Sequence, residues 1–230
     1  MISISGRFSS KLHGHADSIF AVMSHLANEE NALNLSQGFP DFNCPQALIN
    51  AVNKHMKKGH NQYAPLPGHL PLKEQIASKV EKLYSKTYDP NDEIMITAGA
   101  TQAIYTAITT FIKEDDEVIL FEPAYDSYAP SVLLSKGIPK YVKLNPPDYR
   151  IDWEAFKRMI NFNTKMVIIN TPHNPTGTTL NAQDMMKLEK ILKNRDIIVL
   201  SDEVYEHIVF DGHEHQGVCR FPELAAKSLV

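Results

Sequence analysis

Short apolar, β-branched runs recur along most of this chain without the polar alternation of a half-exposed sheet. They lie at Glu93–Thr97, Glu117–Phe121, Lys140–Leu144, Met166–Asn170 and Ile197–Ser201. Helical stretches separate them at Thr101–Lys113, Ser127–Ser135, Asp152–Ile160 and Ala182–Lys193. A strand with no polar face is one buried on both sides, and a helix between successive strands is the crossover that parallel pairing requires. The pattern predicts an α/β domain of three layers, a mostly parallel sheet between two layers of helices.

The chain before this pattern reads differently. Ala16–Ala27 places Ile19, Phe20, Met23 and Leu26 on one helical face, and NLSQGFPDF (Asn34–Phe42) is extended and turn-rich, punctuated by Gly38 and Pro40. A helix is predicted over Pro45–Lys58, with Ala47, Leu48, Ala51, Val52 and His55 on a stripe and Gly59 just past its end. After NQYAPLPG another follows over Leu70–Ser85. The expected division is an N-terminal arm at 1–44 and a large domain at 45–230.

Bulk properties narrow the partners. A formal charge of −4 over 230 residues gives no reason to expect nucleic acid or an acidic membrane surface. No apolar run approaches the ~20 residues needed to span a bilayer. The two cysteines, Cys44 and Cys219, make no disulfide framework, so a reducing compartment is expected. The first twenty residues have some basic and serine character, as in a transit peptide, but no signal-peptide apolar core; the cytoplasm is the expected location.

In a sheet of this kind ligands sit beyond the carboxyl ends of the strands, where loops lead into helices. Four such loops carry suggestive residues. Gly99-Ala100-Thr101 opens a helix, so free backbone N–H groups and the Thr101 hydroxyl form a phosphate grip, although such residues are more often just a tight turn. Tyr125, after Pro123, either stacks on a planar ring or caps the core. Asp202 ends the buried run IIVLS, where a carboxylate must be paired or face a cleft. It suits a protonated ring nitrogen, and equally a helix N-cap. Tyr205 and Asn174, the latter before Pro175 where a cis bond is plausible, both have donors for a phenolic oxygen. Taken together, these groups describe a site for pyridoxal 5'-phosphate.

A second cluster, Asp211, His213, His215 and Cys219 in DGHEHQGVC, fits no structural zinc spacing and is expected to be a solvated loop over the site entrance rather than a metal site. His13 and His15 beside Gly14 are similarly unremarkable. No Ser-His-Asp pattern and no GxxxxGK phosphate loop is present.

The stretches NLSQGFPDF, NQYAP, TAGAT, EPAYDSYAP, NTPHNPTG and SDEVYEH run from about Leu33 to His207. In order and spacing they resemble the class I/II aminotransferases of the fold type I pyridoxal-phosphate superfamily. NTPHNPTG followed by SDEVYE is the specific part, and other motifs are similar to the methionine, glutamine and kynurenine aminotransferase subgroup. The resemblance implies that Ala100 and Thr101 hold the cofactor phosphate and Tyr125 stacks on the pyridine ring. Asn174 and Tyr205 would bond its phenolic oxygen, and Asp202 its nitrogen. It further implies that Tyr63 reaches the phosphate of the neighbouring subunit in a homodimer, and that Gly38 meets the substrate carboxylate through its backbone.

Two departures accompany it. The family's Schiff-base lysine lies in a Ser-x-Ser-Lys type turn one strand beyond the Asp-x-x-Tyr loop, and here the only lysine after Tyr205 is Lys227. Lys227 precedes Leu229-Val230, which reads as the start of the strand leading to that turn, so Lys227 reads as a solvated helix-end lysine and the catalytic lysine is expected beyond Val230. The arginine for the substrate carboxylate and most of the small domain are expected there too. The activity implied is transfer of an amino group from a methionine-like or aromatic amino acid to a 2-oxo acid, with the 230-residue chain alone inactive. A carbon–sulfur β-lyase on the same scaffold, and a non-catalytic truncated product or pseudoenzyme, are the alternatives.

Overall fold

The computed structural model describes residues 10–12, 18–38 and 40–230. His13 and His15 and the first residues of the Ala16–Ala27 helix lie outside them, as does Phe39 within NLSQGFPDF. The described residues fall into two compact units, one within His13–Leu66 and one made of Pro67–Val230 together with residues 10–12. Among them no helix is long and apolar enough to cross a membrane.

The first unit contains α1 (Ile19–Glu29) and α2 (Gln46–Lys57), neither of which buries a residue. Gly59, with φ at 86°, closes the turn after α2 in the left-handed region, as its place in the sequence predicts.

The second unit is the α/β domain. After α3 (Leu70–Tyr84) and α4 (Ala100–Phe111) come β1 (Glu117–Glu122), α5 (Tyr128–Leu134) and β2 (Ile138–Lys143). They are followed by α6 (Trp153–Met159), β3 (Thr164–Asn170), α7 (Ala182–Leu192) and β4 (Ile198–Asp202). A short 3₁₀ turn at Val218–Arg220, α8 (Pro222–Ala225) and β5 (Ser228–Leu229) complete it. The five strands pair in parallel in the order β2-β1-β3-β4-β5. Leu229 lies in a strand, as its apolar character suggested, but that strand starts at Ser228 and does not include Val230.

Side-chain parity divides the core. Val118, Leu120, Met166, Ile168 and Leu200 point to one face and pack on Ile104 and Ile108 of α4 and Tyr128 and Val132 of α5. Their neighbours Ile119, Phe121, Val167, Ile169 and Val199 point to the other, against Phe156 of α6 and Met185, Leu188 and Leu192 of α7. Both faces are covered, which is why these strands read as unbroken apolar runs.

Two expectations need correction. Glu93–Thr97 is not a strand. Ile96 N–H donates to the Pro67 carbonyl at 3.1 Å, and no described strand runs beside it to form a ladder. A run of apolar, β-branched residues suits a segment to a sheet, but a pairing neighbour makes it a strand. β2 also starts at Ile138 rather than Lys140, including Pro139. A proline is tolerated there because β2 is an edge strand and can leave one N–H position unpaired.

The contact between Pro67-Gly68 and Ile96 holds the segment that leads into Gly99 and α4. Gly68 has φ at 106°, and a Cβ built on it would lie 2.4 Å from Ile96 Cγ1. Gly68→Ala therefore meets both backbone strain and a clash, and should destabilise the domain by about 2 kcal/mol in urea unfolding.

Candidate active site

At the carboxyl end of the sheet an open cleft of about 570 Å³ is lined by Gly99, Ala100, Thr101, Tyr125, Asn174, Asp202 and Tyr205, together with Asn170, Ile104, Ala98 and Val204. All six residues singled out from the sequence within the second unit, Ala100, Thr101, Tyr125, Asn174, Asp202 and Tyr205, thus line one cleft. They come together because Asn170 and Asp202 end adjacent parallel strands in register, and the loops after parallel strands emerge on one side.

Each residue is placed by local chemistry. Gly99, with φ at 89°, turns the chain into α4. No side chain caps that helix, so its first N–H groups remain open at the cleft. Tyr125 stands edge-on to Tyr128, ring centroids 5.7 Å apart at 71°. Asn174 N–H donates to Asn170 Oδ1 at 2.7 Å, and the Asn174-Pro175 bond is cis. The Asp202 carboxylate accepts from Val204 N–H at 3.2 Å on Oδ1 and from the Tyr128 hydroxyl at 2.7 Å on Oδ2. The chain after Asp202 turns without forming a helix, so the carboxylate closes its own loop instead of capping one. The loop carrying Tyr205 is tied down by Glu206, whose carboxylate binds the Lys79 ammonium and the Tyr84 hydroxyl of α3.

The cleft thus offers helix-start N–H groups and a hydroxyl at Thr101, an aromatic ring, a carboxylate, an amide and a phenol. A phosphorylated hydroxypyridine needs this set: donors for the phosphate, a ring to lie against, an anion for the ring nitrogen and donors for the phenolic oxygen.

The sequence model of aminotransferase class I and II matches residues 30–228. The chain belongs to the aminotransferase class I and II family. Members of this family depend on pyridoxal phosphate. The chain is 46% identical to the methionine aminotransferase of Escherichia coli over 96% of its own length and 57% of the relative's. To the probable N-succinyldiaminopimelate aminotransferase of Mycobacterium tuberculosis it is 38% identical, over 96% of this chain and 56% of that one. Among solved structures, an E. coli protein with a methionine aminotransferase function superposes with a TM-score of 0.90 at 45% identity, covering 96% of this chain and 57% of the other. The M. tuberculosis N-succinyldiaminopimelate aminotransferase gives a TM-score of 0.91 at 38% identity, covering 96% and 58%. The chain therefore spans somewhat over half the length of these aminotransferases.

Gly38 and Tyr63 belong to the other unit; both are exposed, Tyr63 fully so. Lys227 is not a free solvated lysine. Its ammonium donates to the carbonyls of Leu192 at 3.1 Å and Arg195 at 2.8 Å, at the amino end of β4 and opposite the Asp202 end. No lysine is among the residues that line the cleft.

The DGHEHQGVC stretch departs from the expected solvated loop. Asp211 and His213 are exposed, but His215 and Cys219 are buried. His215 Nε2 pairs with Glu203 Oε2 at 2.7 Å, and Glu203 Oε1 accepts from Ser201 Oγ at 2.7 Å and Val218 N–H at 2.9 Å. Cys219 lies 3.5 Å from the Tyr88 hydroxyl, and burial pushes its thiol pKa up. A buried carboxylate needs partners, and Glu203 draws this segment inward to obtain them. Among the described residues no group of three His, Cys, Asp or Glu side chains is arranged for a metal.

Two site residues were missed from the sequence. Asn170 has its amide spanning the two strand ends, accepting from Asn174 N–H and donating to the Asp202 carbonyl at 2.9 Å. The signal was the one that drew attention to Asp202: a polar residue ending an apolar run. Tyr128 lies three residues after Tyr125, across the turn that leads into α5.

His173 bears on pH stability. It is buried, Nδ1 sits 2.8 Å from Thr176 Oγ1, and burial lowers its pKa from the ordinary 6.5, opposed by the Pro123 carbonyl. A lowered folded value means the native state binds fewer protons than the unfolded one. This contribution is complete above about pH 6.5 and is lost as pH falls through the folded value. Between about pH 7 and pH 5, the urea midpoint should therefore fall more steeply in the unaltered protein than in His173→Gln.

Proposed function

We propose that this chain is the cofactor-binding part of a pyridoxal-phosphate-dependent aminotransferase that moves an amino group from an amino acid to a 2-oxo acid. The observation that carries this reading is the convergence of Ala100, Thr101, Tyr125, Asn174, Asp202 and Tyr205 on one cleft. The names of relatives, methionine aminotransferase among them and kynurenine–oxoglutarate transaminase from Dictyostelium discoideum and rat at 32% and 30% identity, support a methionine-like or aromatic donor.

In this reading the open N–H groups at the start of α4 and the Thr101 hydroxyl hold the phosphate. Tyr125 lies against the pyridine ring. Asn174 and Tyr205 donate to its phenolic oxygen, and the Asp202 carboxylate keeps a proton on its nitrogen. When bound, the cofactor supplies an electron-withdrawing ring that takes up the electron pair left when the substrate Cα loses its proton. Gly38 is assigned to the substrate carboxylate and Tyr63 to the phosphate of a second subunit in a homodimer. The exposed Tyr63 ring is consistent with such an outward role.

The roles of Asp202 can be separated from folding. In the protein as its source organism makes it, Asp202→Asn, which keeps an acceptor for the Tyr128 hydroxyl, should lower the transamination rate about 10²–10³-fold while leaving the urea midpoint nearly unchanged. Near-normal transfer in that variant would refute the assignment.

We further propose that these 230 residues alone do not transaminate, because the cleft lining has no lysine and Lys227 is held at the opposite end of β4. The nucleophilic lysine and the arginine for the substrate carboxylate then belong to the remaining length that the relatives have. Borohydride reduction of the 230-residue chain with the cofactor, followed by peptide mass mapping, should find no lysine modified stoichiometrically and no amino transfer. A single stoichiometric adduct with measurable transfer would overturn this.

A further inference from the structure

Asp202 is held from outside its own loop. Val204 N–H, two residues on, bonds one carboxylate oxygen, and the Tyr128 hydroxyl of α5 bonds the other. Aspartate is loose about its last torsion, so a single local bond leaves the carboxylate plane free to swing. A second bond, to the other oxygen and from a different element, removes that freedom.

Tyr128 is built for this task. It is 2% exposed and packed in the core shared by α4, α5 and the sheet. Burial, followed by the nearby Asp202 charge, drives its phenol far above the ordinary range. The hydroxyl therefore keeps its proton at any working pH and donates to Asp202 throughout. Water has little access to the buried Tyr128 side of this bond.

From this geometry we infer that Tyr128 is a positioning residue of the cofactor site, fixing the Asp202 carboxylate for the directional bond it makes to the ring nitrogen. The inference rests on the assignment of Asp202 to that nitrogen. Hydrogen bonds weaken steeply off line, so a swinging carboxylate would grip an N–H poorly even with its charge intact. Tyr128 also braces Tyr125 edge-on, a packing role that acts on the whole ring and not on its nitrogen.

A ligand that lacks the nitrogen distinguishes the two. Dissociation constants are measured for pyridoxal phosphate and for its 1-deaza analogue, in which C–H replaces the ring nitrogen. The proteins compared are the unaltered protein, Tyr128→Phe and Asp202→Ala, each as its source organism would make it. Phenylalanine keeps the ring and its packing, so that variant should melt close to the unaltered protein. The unaltered protein should prefer the natural cofactor, and Asp202→Ala should lose most of that preference. Tyr128→Phe should cut the preference about tenfold, by weakening cofactor binding and leaving the analogue's unchanged. Equal weakening of both ligands would reduce Tyr128 to a brace for Tyr125 and overturn the inference, as would an unchanged preference. No preference in the unaltered protein would instead overturn the assignment of Asp202 itself.

Discussion

β3 is buried along nearly its whole length, and the chemistry of the domain follows from that. A strand covered by helices on both faces has no room for an uncompensated polar side chain until it ends. The polar groups are therefore pushed to strand ends, and at the carboxyl end they meet as Asn170 on β3 and Asp202 on β4, register partners in adjacent strands. The Asn170 amide then ties Asp202 and Asn174 to the same frame. The floor of the cleft is the end of the core.

Strand parity continues past the strands and decides which acid does what. Leu200 and Asp202 share the face packed by α4 and α5, so Asp202 meets Tyr128 and the cleft. Ser201 and Glu203 share the other face, where Glu203 gathers His215, Ser201 and the Val218 N–H into a buried polar knot. Two adjacent carboxylates thus enter unrelated environments. One has an open side facing the cleft; the other has both oxygens hydrogen-bonded by the protein.

Much of the fold was legible because it depends on local pattern. The helices α2, α3, α4 and α7 follow from apolar spacing and end signals, and four of five expected strands follow from runs that only a doubly covered sheet can bury. The exception, Glu93–Thr97, has the composition of a strand, but pairing needs a neighbour and composition does not supply one. The cluster at Asp211–Cys219 was misread for a related reason. Its polar residues look solvated in sequence, and only the demand of Glu203 for partners shows why His215 is inside.

By itself, the sequence determined the layered α/β class and the six residues that gather at the cleft. Both rest on short-range facts: periodicity, and polar or small residues placed just after apolar runs. Tertiary structure alone decided how those residues are held. The Tyr128 bond to Asp202 spans 74 positions and the Asn170 bond to the Asp202 carbonyl spans 32. Contacts at such separation depend on which strands pair in which register and which helix covers which face of the sheet, and no local periodicity encodes those choices.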